Sequence, residues 1–320
     1  MGINDSYTSA NAMPHKLLKH SQACVDSNFI YPAHVQLCPT NICNLDCSFC
    51  SCKNRDKSLS IPFSILKNAI DVLRKLGMRA VTITGGGEPC CYPDIKKLLL
   101  YLQANNIEIG LVSNGLLLHK IVDMVDVTAW CRVSVSDDRD VDKLLSGLQG
   151  LVGAVKTDWA FSYVVTAKFN IKKCIKIIEF ANANSFTHVR LVSDLMDLPG
   201  LGNMGNVKSQ LQHVGVNDSK VIYQDRQQYT KGSRECRISL LKPVLVPDGY
   251  VYPCCGVQYA LKDNTGGFPE SMRMCSIEDI KTYLRMQSIF DGRDCVKCYY
   301  QAYNDVLESL CQEYTHENFI

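Results

Sequence analysis

The chain has 320 residues, 46% of them hydrophobic, with 34 basic and 32 acidic side chains and a formal net charge of +2. Charge so nearly balanced supplies no global field for gathering nucleic acid, and no apolar run approaches the ~20 residues of a membrane span. Seventeen cysteines fall short of the roughly 8 to 10% of a disulfide scaffold, so the expected setting is cytoplasmic, with reduced thiols.

In chain order, residues 1–29 are polar and irregular and are expected to form an N-terminal extension. A strand follows near His34. The next helix, Pro62 to Leu76, puts Ile65, Leu66, Ala69, Ile70, Leu73 and Leu76 on one face and stops at Gly77, the residue type that caps helix ends. Strands are predicted at Ala80 to Thr84 and Ile107 to Val112, with a helix at Asp94 to Leu102 between them. Further strands fall near 131 and 160, then a helix at Lys172 to Ala183 and a sixth strand at His188 to Val192. Such alternation predicts parallel strands joined by right-handed helical crossovers. The fold class expected for 30–200 is therefore α/β, a partial (β/α)6 barrel of TIM type. Residues 201–235 lie in a stretch rich in Gly, Asn, Gln and Ser that reads as linker or lid, and 236–320 form a small cysteine-rich domain.

The most informative run is Cys43-Asn-Leu-Asp-Cys47-Ser-Phe-Cys50. Its C-x3-C-x2-C spacing holds three thiolates in one loop, and a four-iron cubane needs four ligands, so one iron would stay open to something other than protein. Zinc sites favour two separated pairs that close all four positions. Downstream, the strand at Ala80 runs into Gly85-Gly86-Gly87-Glu88-Pro89, where glycines permit a close approach because no Cβ intervenes. Ser113-Asn114-Gly115 ends the third strand, and Ser134 lies near the end of the fourth.

These motifs, in this order, resemble the radical S-adenosylmethionine (SAM) superfamily, down to the aromatic Phe49 before the third cysteine. The resemblance implies a SAM-binding 4Fe-4S cluster on Cys43, Cys47 and Cys50. It implies that Gly85, Gly86, Gly87 and Glu88 hold the SAM amino group and that Ser113, Asn114 and Ser134 contact its ribose or carboxylate. It also implies reductive cleavage of SAM to a 5'-deoxyadenosyl radical that abstracts hydrogen from a substrate, with a flavodoxin or ferredoxin as electron donor.

Farther on, Cys236, Cys254 and the pair Cys295 and Cys298, with Gly249 between the first two, resemble a twitch domain, the shortened relative of the SPASM domain. That implies an auxiliary 4Fe-4S cluster which takes or relays an electron. The same thiols suit zinc, and Cys255 or Cys275 could replace Cys254. The run Pro247 to Pro253 reads as a hairpin. Arg190 and Asp194, at the end of the sixth strand, are the candidates to bind or deprotonate a small polar or nucleotide-like substrate. Dehydrogenation leads, with radical isomerisation or modification of nucleosides, DNA bases or peptides as alternatives. A non-catalytic electron-transfer module is the reading of another class.

Overall fold

A computed structural model of the protein describes residues 16–17, 20, 29–152, 156–196, 204–225, 229–263 and 266–312. The expected N-terminal extension lies almost wholly outside them. Seven parallel strands form the main sheet: β1 (His34–Leu37), β2 (Ala80–Ile83), β3 (Glu108–Ser113), β4 (Trp130–Ser136), β5 (Asp158–Val165), β6 (His188–Ser193) and β7 (Val221–Gln224). The crossovers carry α1 (Phe63–Lys75), α2 (Ile95–Ala104), α3 (Val141–Gln149), α4 (Ile171–Ala183) and α5 (Met204–His213). Between β3 and β4 the chain instead takes a kinked 3₁₀ path, Leu118–Val127.

The helical spacing seen in the sequence is used as expected. Leu66, Ala69, Ile70 and Leu73 are the buried face of α1, and burying a Leu or Ile side chain is worth ~2 kcal/mol. Gly77 takes a positive φ of 119°. Its N–H bonds to the Arg74 carbonyl and that of Met78 to the Leu73 carbonyl, the paired bonds of a Schellman ending. Under β5 and β6 the core is aromatic, with Phe161 stacked on Phe186 at 4.4 Å between ring centres.

Two features differ from the sequence expectation. The segment read as linker or lid carries α5 and β7, and β7 pairs with β6. Its apolar residues Met204, Val207 and Leu211 are buried but sit among Gly, Asn and Gln, which masks their helical spacing. The C-terminal module is also not a separate layer. It comprises α6 (Ile238–Leu241), β8 (Val244–Leu245), β9 (Tyr250–Tyr252), β10 (Cys275–Ser276), α7 (Ile280–Arg285) and α8 (Gln301–Leu310). Strand β8 pairs parallel to β1, and β9 and β10 follow antiparallel, as the predicted hairpin requires. One ten-stranded sheet results, ordered β10-β9-β8-β1-β2-β3-β4-β5-β6-β7. Its edges, β10 and β7, are not joined, so the barrel is open. No described helix is long and apolar enough to cross a membrane.

His188, the first residue of β6, is 5% exposed. Burial, then the charges of Arg132 and Arg190, lowers its pKa to about 3. Between that value and the ordinary ~6.5 the unfolded chain binds the extra proton, so stability falls as pH falls through this window. From pH 7 to pH 5 this group costs about 2 kcal/mol. Urea unfolding of His188→Gln should therefore show a shallower loss of stability over that range than the parent chain; equal slopes would refute the assignment.

Candidate active site

Because β1 to β6 are parallel, their carboxyl ends share one rim, where barrels of this kind carry their sites. The loop after β1 carries Cys43, Cys47 and Cys50. The turn after β2 is Gly85 to Glu88, β3 ends in Ser113 and Asn114, Ser134 belongs to β4, and Arg190 and Asp194 lie on and just past β6. All of these residues, with Phe49, line one cavity of about 270 Å³.

The cysteine loop is closed at its base before any ligand is considered. Thr40 and Ser60 form an antiparallel bridge with their hydroxyls 2.6 Å apart, and the Asn41 N–H donates to the Leu59 carbonyl. Burial pushes the Cys43 and Cys47 thiols above their usual range, and the charge of Cys50 adds to the shift at both. For Cys47 the nearby Arg139 charge opposes that shift. Cys52 lines the same cavity but is 3% exposed, and burial drives its thiol far higher.

The glycine turn serves the protein as well as any ligand. A Cβ on Gly86 would lie 1.8 Å from the Asn41 side-chain oxygen, and one on Gly87 would lie 2.1 Å from the Ile42 carbonyl oxygen. The turn therefore packs backbone to backbone against the cysteine loop, with Gly87 N–H donating to the Thr40 carbonyl and Glu88 N–H to that of Ile42. Glu88 is 2% exposed. Its carboxylate accepts from the Ser113 hydroxyl at 2.7 Å, the Asn114 N–H at 2.7 Å and the Cys90 N–H at 3.2 Å. Glu88, Ser113 and Asn114, read from the sequence as separate ligand contacts, form one network. The Asn114 amide extends it by donating to Asn44 in the cysteine loop.

On the far wall Arg190 donates to the Ser162 hydroxyl at 2.9 Å, and Asp194 accepts from the Met196 N–H at 2.8 Å. Arg139 was not visible as a site residue in the sequence. It is 8% exposed and lines the cavity, and its Nε and Nη1 find no hydrogen-bond partner among the described residues. The loop carrying it is held by Asp137, which accepts from Tyr163 and the Asn170 N–H. Lys173 of α4 adds bonds to the carbonyls of Asp137 and Arg139. A buried guanidinium with unused donors is costly, and an anionic group in the cavity would offset that cost. Tyr259, from the C-terminal module, completes the lining.

In that module Cys236, Cys254, Cys295 and Cys298 come together. Beyond burial, Cys254 feels the charges of Cys255, Cys236 and Cys298, and Cys295 those of Cys298 and Cys236. Burial pushes Cys236 and Cys295 up to about 12. Bridges between Cys236 and Phe290 and between Thr230 and Cys298 fix two of the four. Asn304 of α8, 2% exposed, binds the backbone of 235, 237 and 238 around Cys236. Of the alternatives, Cys255 directs its sulfur to the Tyr300 hydroxyl at 3.3 Å, and Cys275 lies in β10. Among the described residues every cysteine is a free thiol.

The chain also resembles known proteins in sequence and in fold. Residues 37–136 match the Radical SAM superfamily model. A probable GTP 3',8-cyclase of Sulfurisphaera tokodaii is 27% identical over 171 residues, covering 48% of this chain and 53% of that protein. The GTP 3',8-cyclase of Staphylococcus carnosus is 31% identical over 155 residues, covering 43% and 44%. The chain thus spans about half the length of the curated relatives it matches. In three dimensions it resembles Streptococcus suis SuiB bound to precursor peptide SuiA, with 16% identity and a TM-score of 0.58 over 96% of this chain and 82% of that one. It also resembles anSMEcpe with bound AdoMet and the Cp18Cys peptide, with 15% identity and a TM-score of 0.52 over 86% and 94%.

Proposed function

We propose that this chain, whose residues 37–136 match the Radical SAM superfamily model, is a radical SAM enzyme that abstracts hydrogen from a small, polar, anionic substrate, nucleotide-like in character. The observation that carries the reading is the cavity itself, which gathers three thiols, the Glu88 network and the guanidinium groups of Arg139 and Arg190 within about 270 Å³. A 4Fe-4S cluster with SAM supplies the 5'-deoxyadenosyl radical; Cys43, Cys47 and Cys50 are the residues that would hold that cluster. In this reading Arg139, beside Cys47, binds an anionic group of SAM or substrate. Arg190 orients the substrate from β6, and Asp194 is placed to accept a proton if the substrate is oxidised. The curated relatives named for GTP support a nucleotide over other polar substrates.

The second ring of thiols, Cys236, Cys254, Cys295 and Cys298, is proposed to hold an auxiliary 4Fe-4S cluster that takes the substrate's electron.

The test is anaerobic reconstitution with iron and sulfide, then iron counting and dithionite-driven 5'-deoxyadenosine formation with and without GTP. About eight irons, falling to about four in Cys254→Ala with deoxyadenosine formation retained, is the expected result. About four irons in both would make the second ring a zinc or structural site. Deoxyadenosine yield raised by GTP supports the nucleotide reading. Yield indifferent to GTP would turn the search to peptides, the ligands bound by the two structural relatives.

A further inference from the structure

Arg55 lies five residues past the last cysteine of the loop, half-buried and outside every motif read from the sequence. Among the described residues its guanidinium makes three hydrogen bonds, all to the cysteine loop. Nε donates to the Asn41 carbonyl at 2.8 Å, Nη1 donates to the Cys52 carbonyl at 2.7 Å, and Nη1 also donates to the Cys50 sulfur at 3.7 Å. Asn41 precedes Cys43 and Cys52 follows Cys50, so one planar group joins the two flanks of the loop and touches one of its thiols. Asn41 is also the residue against which Gly86 packs, which ties this clasp to the glycine turn.

We infer that Arg55 is a positioning residue which sets the mouth of the cysteine loop and, through its bond to the Cys50 sulfur, raises the reduction potential of the cluster held there. The physical reason is twofold. A loop that must offer three thiolates to an anionic cluster loses less entropy on loading if its flanks are already joined. A fixed positive charge donating to a ligand sulfur stabilises the added electron, and hydrogen bonds to cluster sulfurs are a recognised control on potential. Lysine cannot replace the clasp, because one ammonium nitrogen cannot span two carbonyls and a sulfur as the rigid fork does.

The potential half of the inference rests on the loop being a cluster cradle, whereas the clasp half does not, so two measurements separate them. In the 320-residue chain without metal, amide hydrogen exchange over 41–52 should quicken about tenfold in Arg55→Lys, as expected for losing charge-assisted hydrogen bonds, while α1 stays at the parent rate. Unchanged exchange over 41–52 overturns the clasp. In the reconstituted enzyme, an EPR-monitored redox titration of the SAM-binding cluster should give a lower midpoint in Arg55→Gln than in the parent, with Arg55→Lys between them. Equal midpoints in all three overturn the tuning. A parent chain that assembles no cluster would instead refute the cradle reading and leave the exchange result standing.

Discussion

Cys47→Ala is expected to reduce 5'-deoxyadenosine formation to the background of the cluster-free protein while leaving the thermal unfolding transition in place. Cys47 is half-buried at the mouth of the cavity, not part of the core, so its removal creates no packing defect of the kind that costs several kcal/mol. What it removes is one of three thiolates in a loop that offers no spare. The neighbouring thiols do not substitute: Cys52 is 3% exposed with a strongly raised pKa, and Cys91 stands on the 3₁₀ turn after Glu88. Cys91→Ala is the matched control, since its charge is felt against Cys43 yet it does not line the cavity. Activity lost equally in both variants would sink the assignment, as would a Cys47→Ala protein that still binds iron at the first site and cleaves SAM.

Gly87→Ala should be nearly as severe for a different reason. Its Cβ would fall 2.1 Å from the Ile42 carbonyl oxygen and 2.5 Å from the Asn41 carbonyl carbon. Both are backbone atoms of the cysteine loop, so no side-chain rotation relieves the overlap. The loop must move, and Cys43 is the next residue along. Overpacking of this kind typically costs 1–3 kcal/mol, which the fold can bear. The geometry of the thiols cannot, since the bonds from Gly87 and Glu88 to the Thr40 and Ile42 carbonyls hold the loop in register with the turn. We expect a folded protein with SAM cleavage reduced by two orders of magnitude or more, about the cost of a 1 Å misplacement at a reactive centre. Activity within twofold of the parent would mean that the loop adapts and that the turn faces only the ligand.

Much of the site was legible because it lies in short contiguous motifs. The cysteine spacing, the glycine run and the Ser113-Asn114 turn each follow a strand, and strand-helix alternation alone predicts that such positions share a rim. Glu88 was legible as a residue, but its carboxylate's bonds to Ser113 and Asn114, across 25 and 26 residues, are contacts that no local pattern encodes. Arg139 stands in Asp137-Asp138-Arg139-Asp140, a charged run that carries no local signal of a site. It becomes a site residue only once the Asp137 carboxylate and Lys173 fold that turn inward. Helix α5 has only three buried apolar positions in a polar stretch, too weak a period to mark it in the sequence.

By itself the sequence determined the chemistry on offer, through thiols at cluster spacing, and the barrel's parallel order, through its alternation of periods. Tertiary structure alone decided where the C-terminal module stands. Two-residue β8 carries no signal that it pairs with β1, yet that pairing sets the module beside the strand that leads into the cysteine loop. From there Gln258 accepts the Ser51 hydroxyl at 2.5 Å and the Gly266 carbonyl accepts the Asn54 N–H, contacts spanning more than 200 residues. Strand pairing is a backbone interaction that most side-chain sequences satisfy, so a free sheet edge selects its neighbour by which segment can reach it and be buried there, and that is a property of the folded chain.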